Sequence, residues 1–253
     1  MPIIDLNEVS TWYDEHGAGE PLVLFHPGGV DSRALDPHPI AALASKFRVF
    51  TPERRGHGHT PDTEGPYTFE MIADDAVSFI EALVGEPAHF VGVSDGAIVA
   101  LLVAHRRPDL ARRVAAISGP AHHNGWIPEA IDPNNAPPQF MADMYGEVSP
   151  DGIDQYPVVA AKLAEMHQIG PSLSPADLSR ITARTLVMLG DDDEVTLEHA
   201  IDVYRSLPAG ELAIIPGTSH GLMIEKPSLC NAILLDFLTN DPVTTLAPVR
   251  RRS

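Results

Sequence analysis

The sequence predicts an α/β domain, a mostly parallel central sheet with helices on both faces, interrupted once by an inserted helical lid. Three observations carry this expectation. From Phe47 onward, short apolar runs alternate with stretches whose apolar residues recur at helical spacing. At one junction, Gly92-Val93-Ser94-Asp95-Gly96, a serine lies between small residues where a buried strand pattern gives way to a helix pattern. Between Ala121 and Asp177 the alternation stops, and Pro- and Asn-rich sequence surrounds only two helical stretches.

Taken in order, Glu8 to Glu15 reads as a strand turning at Gly17-Ala18-Gly19 into a second, Pro21 to Phe25, which predicts an opening hairpin. Ile40 to Ser45 reads as a helix. Phe47 to Phe50 reads as a strand running into the turn Glu53-Arg54-Arg55-Gly56-His57-Gly58. Thr68 to Leu83 places Ile72, Ala76, Phe79, Ile80 and Leu83 on one helical face, and Ala88 to Val93 follows as a strand buried on both sides. Asp95 to His105 is a helix rich in Ala and Val, and Val114 to Ile117 a further strand. Beyond the interruption, with helical stretches at Phe140 to Tyr145 and Val158 to His167, come the strand Thr185 to Leu189, the helix Leu197 to Leu207, the strand Leu212 to Ile215 and the helix Pro227 to Leu238. Residues 1–120 and 178–240 are therefore assigned to one core, 121–177 to a lid over the C-terminal edge of the sheet, and 241–253, with Arg250-Arg251-Arg252, to a loose solvated tail.

Bulk composition narrows the function. Lys and Arg total 17 against 35 Asp and Glu, and the formal charge of −18 repels phosphate backbones and anionic membranes. Nucleic acid and membrane partners are not expected. No basic leader precedes an apolar run and no stretch of membrane-spanning length occurs, so a soluble, cytoplasmic protein is expected. The single cysteine, Cys230, lies in an apolar helical stretch and reads as a buried thiol.

A sharp strand-to-helix turn lifts the Ser94 hydroxyl out of the sheet and aims the Asp95 amide, at a helix N-terminus, toward a developing oxyanion. A serine hydroxyl needs a base to take its proton during attack. Of twelve histidines, only His220 sits in a turn just past a late strand, in Pro216-Gly217-Thr218-Ser219-His220-Gly221. An acid must orient that base, and the strand end Val187-Met188-Leu189-Gly190 leads into Asp191-Asp192-Asp193-Glu194, any of which qualifies.

With these motifs in the order serine, acid, histidine, the chain resembles the α/β-hydrolases over nearly its whole length. The resemblance implies that Asp193 is the acid, because the family pattern G-x-x-D falls on Gly190 and Asp193. It also implies that the His26-Pro27-Gly28-Gly29 loop supplies the second oxyanion amide, from Gly28. Pro27 stands where the family usually has glycine and has no amide proton to donate. Asp95 places a charge beside a developing anion, so its carboxylate is expected to turn away, toward Arg54 and His57. The strand end Ile117-Ser118-Gly119-Pro120, an alternative source of the acid in the family, carries none.

Gly29, Trp126, Met144 and Tyr145 are expected to contact substrate, within a group that also includes Phe140, Met141 and Met166. His26 is expected to brace its loop. His122-His123 lack a carboxylate or cysteine at ligand spacing, and the acid run lacks the alternation of a calcium loop, so neither metal nor cofactor is expected. The function implied is hydrolysis of a small or medium carboxylic ester, thioester or lactone through an acyl-Ser94 intermediate. Carbon–carbon bond hydrolysis, cofactor-free perhydrolysis and a low-turnover receptor of the same fold are the rivals. Substrate identity and oligomeric state are not legible in the sequence.

Overall fold

The computed structural model describes residues 2–249. Ile3–Leu6 (β1) and Val9–Gly17 (β2) form an antiparallel hairpin closed by Asn7 and Glu8, at φ 46° and 65°, the left-handed pair that suits a two-residue turn. Glu20–Phe25 (β3), Ile40–Ala44 (α1) and Phe47–Pro52 (β4) follow. Then come Phe69–Phe79 (α2), Ala88–Val93 (β5), Asp95–Arg106 (α3) and Ala111–Ile117 (β6). Gln139–Val148 (α4), Tyr156–Ile169 (α5) and Pro175–Leu178 (α6) lie between β6 and Arg184–Asp192 (β7). Leu197–Ser206 (α7), Gly210–Ser219 (β8), Leu222–Glu225 (α8) and Pro227–Thr239 (α9) complete the chain.

The eight strands form one sheet in the order β1-β2-β4-β3-β5-β6-β7-β8, parallel from β4 to β8. The expected hairpin between β2 and β3 is not formed: β4 lies between them, antiparallel to β2 and parallel to β3. Burial explains the difference. All but the first residue of β3 is buried, so this strand needs a neighbour on each side, whereas β2 is half exposed and suits a place near the edge. The glycines of the intervening turn serve that path, since a Cβ on Gly17 would lie 2.3 Å from the Ala44 carbonyl oxygen.

Strand alternation divides the core into two layers. Leu22 and Leu24 pack with Val49, Val91, Leu234 and Phe237 on the side of α1 and α9. Val23 and Phe25 pack with Phe90, Ile98 and Leu101 on the side of α2 and α3, in a layer that continues into the segment between β6 and β7 through Tyr145, Tyr156 and Met166. Cys230 is buried in α9.

Register brings the strand ends together. Phe25 pairs with Gly92, Val93 with Ile117, Ile117 with Met188, and Gly190 with Ile215. The residues just beyond these pairs therefore emerge side by side at the C-terminal edge of the sheet. Strand order reverses between β3 and β5, the kind of crevice where open α/β sheets bind ligands. The segment between β6 and β7 is tied to the loop after β4 by Lys162 Nζ and Gln155 Nε2 on the Asp62 carboxylate, at 2.8 and 2.7 Å. Residues 241–249 form neither helix nor strand, and the expected solvated run Arg250-Arg251-Arg252 lies outside the described residues. Among the described residues no helix is long and apolar enough to cross a membrane.

Candidate active site

Ser94 joins β5 to α3 with φ 55° and ψ −120°, a conformation that costs a non-glycine residue energy and persists only where its surroundings enforce it. The enforcement is close packing. A Cβ on Gly92 would lie 2.0 Å from the Gly96 carbonyl oxygen, and one on Gly96 would lie 2.2 Å from that of Phe25. Ser94 N donates to Ile117 O at 2.8 Å, tying the turn to β6. The hydroxyl is thus held at the floor of a cleft.

His220 Nε2 stands 3.0 Å from Ser94 Oγ, and its Nδ1 stands 2.9 Å from Asp193 Oδ1. A carboxylate only accepts, so Nδ1 carries the proton and Nε2 presents a lone pair to the serine hydroxyl. Asp193 is fixed in turn by Ser118 Oγ at 2.6 Å and by the amides of Gly190 at 3.0 Å and Val195 at 3.2 Å. Burial works against charge on His220, yet the Asp193 carboxylate outweighs it and holds the imidazole pKa above its ordinary value. Burial likewise opposes ionisation of Asp193, but the hydrogen bond from His220 prevails and its pKa is lowered. The neighbouring acids point elsewhere: Asp191 accepts from Thr218 N, Asp192 is exposed, and Glu194 is half exposed with Oε2 3.8 Å from His220 Nε2.

The loop after β3 faces this relay. His26, 1% exposed, accepts the Arg54 amide at Nε2 and reaches the Pro27 carbonyl through Nδ1 at 2.8 Å, which braces the loop. His57 accepts from Gly29 N at 3.3 Å while its Nδ1 donates to Arg55 O at 2.9 Å. A Cβ on Gly28 would meet the Asp95 carboxylate at 2.2 Å, so only glycine lets the loop lie this close to the elbow. The Asp95 carboxylate is held between Arg54 and His167, with Oδ2 3.7 Å from Arg54 Nη1 and Oδ1 2.7 Å from His167 Nε2.

Above Ser94 opens a cavity of about 460 Å³, mostly apolar, bordered by Gly28, Gly29, Trp126, Met141, His167 and His220 among others. Trp126 lies between the two histidines, its ring centroid 6.0 Å from that of His167 and 5.9 Å from that of His220. Two of the expected substrate contacts fall outside this space. Met144 does not border it, because Arg33 holds that turn of α4 by its carbonyl at 2.7 Å and the helix presents Met141 instead. Tyr145, on the buried side of α4, borders a separate small void beside Gly29 and His57 and packs on Tyr156, its ring centroid 5.5 Å away. Among the described residues no group of three or more His, Cys, Asp or Glu side chains is placed to hold a metal ion, and the His122 and His123 rings pack at a 47° tilt without bordering the cavity.

The model of the Alpha/beta hydrolase family matches residues 22–233. The chain belongs to that family. Within it, the serine hydrolase BPHL of Homo sapiens is 26% identical over 93% of this chain and 85% of its own length. Among solved structures, the fold of this alpha/beta hydrolase is similar to the meta-cleavage product hydrolase CumD of Pseudomonas fluorescens IP01. That likeness has a TM-score of 0.78 at 20% identity and covers 93% of this chain and 96% of the other. The enol-lactonase of Burkholderia xenovorans LB400 gives a TM-score of 0.77 at 23% identity, over 94% and 100%.

Two residues beside the relay of this hydrolase carry no sequence signal. Ser118, the residue after β6, donates to Asp193 from a strand end that carries no acid of its own. His167 falls inside a helical stretch with nothing in its neighbours to show that it meets the residue after the elbow serine. Only the fold brings residues 95 and 167 together.

Proposed function

We propose that this hydrolase cleaves small or medium carboxylic esters, thioesters or lactones through an acyl-enzyme on Ser94. The observation that carries the reading is the unbroken path Ser94 Oγ, His220 Nε2, His220 Nδ1, Asp193 Oδ1, with successive hydrogen bonds of 3.0 and 2.9 Å. As Ser94 Oγ attacks the substrate carbonyl, His220 takes its proton and Asp193 stabilises the imidazolium. The amides of Gly28 and Asp95 accommodate the negative oxygen, the second assisted by the N-terminus of α3. Collapse transfers the proton from His220 to the leaving oxygen or sulfur, and water, activated by the same imidazole, releases the acid. The names borne by similar proteins, a serine hydrolase and an enol-lactonase among them, accord with this chemistry.

The test is a panel of p-nitrophenyl esters, thioesters, lactones and vinylogous diketones, with an assay for peracid formation, run on the native enzyme and Ser94→Ala. Steady turnover of at least one ester, thioester or lactone, abolished by the substitution while the protein stays folded, supports the reading. Turnover undiminished in Ser94→Ala overturns it. A product burst without steady turnover points to a receptor, and activity confined to vinylogous diketones or to peracid formation points to carbon–carbon cleavage or perhydrolysis by the same residues.

A further inference from the structure

Two Asp–His pairs flank Ser94, and the reaction above uses one. The second is Asp95 with His167, joined at 2.7 Å between Oδ1 and Nε2. Asp95 is 1% exposed, so its carboxylate meets almost no water. It follows Ser94 directly at the start of α3, whereas His167 comes from the last turn of α5, in the segment between β6 and β7. Nε2 is committed to Asp95. Nδ1 has no hydrogen-bond partner among the described residues, and His167 borders the cavity that contains Ser94 and His220.

We infer that His167 is a specificity-determining residue, an imidazolium whose Nδ1–H binds a carboxylate carried by the substrate beyond the scissile carbonyl. This deepens the serine-hydrolase reading and rests on it for the position of the scissile group. The charges around the pair support an anion. Arg54, 8% exposed, lies behind Asp95 with Nη1 3.7 Å from Oδ2, and both its Nε and Nη1 lack hydrogen-bond partners. One carboxylate therefore faces two cations once His167 is protonated, which leaves a net positive charge in an otherwise apolar wall. Burial opposes that protonation, but Asp95 outweighs both burial and the Arg54 charge, and the His167 pKa lies above its ordinary value.

The remaining groups around His167 are few. Phe69 at the start of α2 and Trp126 after β6 supply ring faces, and Glu194 after β7 contributes a more distant negative charge that further favours the imidazolium. Glu194 is half exposed and reaches toward His220, so water screens its repulsion of a bound anion. A neutral ester would use the cavity without using Nδ1. An ester bearing a carboxylate would gain a charge-assisted hydrogen bond in a site of low dielectric.

The test compares pairs matched in shape by pH-stat: the monomethyl esters of succinate, glutarate and adipate against methyl esters of the same chain length in which an isopropyl group replaces the carboxylate. The native enzyme is expected to prefer at least one anionic ester to its neutral partner. In His167→Gln, which keeps an amide donor for Asp95 but no charge, the anionic-to-neutral ratio of kcat/KM should fall about tenfold or more, the worth of one hydrogen bond to a charged group. A native enzyme without that preference, or a ratio unchanged by the substitution, overturns the inference. Calorimetric titration of the preferred monomethyl ester into Ser94→Ala, with and without His167→Gln, reads binding without turnover and covers a variant that is inactive. There too, equal affinities overturn the inference. Hydrolysis persisting in Ser94→Ala would sink the serine reading, and the role of His167 would then be read from the anionic-to-neutral ratio of kcat/KM in the native enzyme and His167→Gln.

Discussion

Ser118 Oγ donates to Asp193 Oδ2 at 2.6 Å, while the other oxygen of that carboxylate meets His220 Nδ1 at 2.9 Å. Ser118 emerges from β6 between the strand that ends in Ser94 and the strand that ends in Asp193, so a hydroxyl on the middle strand holds the acid of the third. Replacing Ser118 with Ala removes one hydrogen bond to a charged group and lets the carboxylate rotate. We expect kcat to fall by about tenfold or more, with KM little changed. Ser118→Thr should recover part of the loss if positioning is the role, and steady-state kinetics on both variants check it.

Asp193→Asn should reduce kcat by on the order of 10⁴, because the amide no longer stabilises the tautomer that presents a lone pair to Ser94. Asp192→Asn, at an exposed position, should leave kcat within about twofold, as expected of surface changes. Reversed magnitudes for these two variants would move the acid to the neighbouring position.

The pH profile carries a sign of its own. In the proposed mechanism His220 accepts a proton only when neutral, and Asp193 raises its pKa above the ordinary histidine value of 6.5. The acidic limb of kcat/KM should therefore have its midpoint above pH 6.5 and rise toward alkaline pH. Glu194, 3.8 Å from Nε2, adds to that upward shift, so Glu194→Gln should move the limb to lower pH. A limb that stays in place or moves upward would contradict the arrangement.

Stability should weaken in acid for a separate reason. His57, 2% exposed, is kept neutral by burial, and next by the Arg54 charge, to a pKa of about 3. Between pH 6.5 and about 3 the unfolded chain binds a proton at this site that the folded chain does not, so stability falls as pH drops through that window. Burial depresses the pKa of His26 as well, with the same sign. Urea midpoints measured from pH 7 to pH 4 should fall, and His57→Gln, whose amide oxygen accepts from Gly29 N without titrating, should flatten the fall.

Much of the candidate site is legible in the sequence because its residues are local in the chain. The glycines around Ser94, the turn holding His220 and the acid run after β7 each announce themselves by residue type and by their place at a strand end. The opening of the chain was not legible. Gly17-Ala18-Gly19 looks like a tight hairpin turn, but the need of β3 for neighbours on both sides overrode it, and the true hairpin at Asn7-Glu8 lacks the glycine that usually marks one. Two of the expected substrate contacts, Met144 and Tyr145, do not border the cavity for a related reason. The periodicity of α4 shows which residues share a face but not which face meets the cavity, so Met141 was not separated from Met144 and Tyr145. The pairing of Asp95 with His167 spans 72 residues and depends on how α5 crosses the sheet edge, which no local pattern encodes.

The most direct measurement is peptide mapping of the native enzyme after reaction with a fluorophosphonate, alongside His220→Ala under the same conditions. The account predicts one phosphonyl adduct, on Ser94, formed rapidly in the native protein and far more slowly without the imidazole. An adduct on another residue, or labelling of Ser94 at an equal rate in His220→Ala, would contradict it.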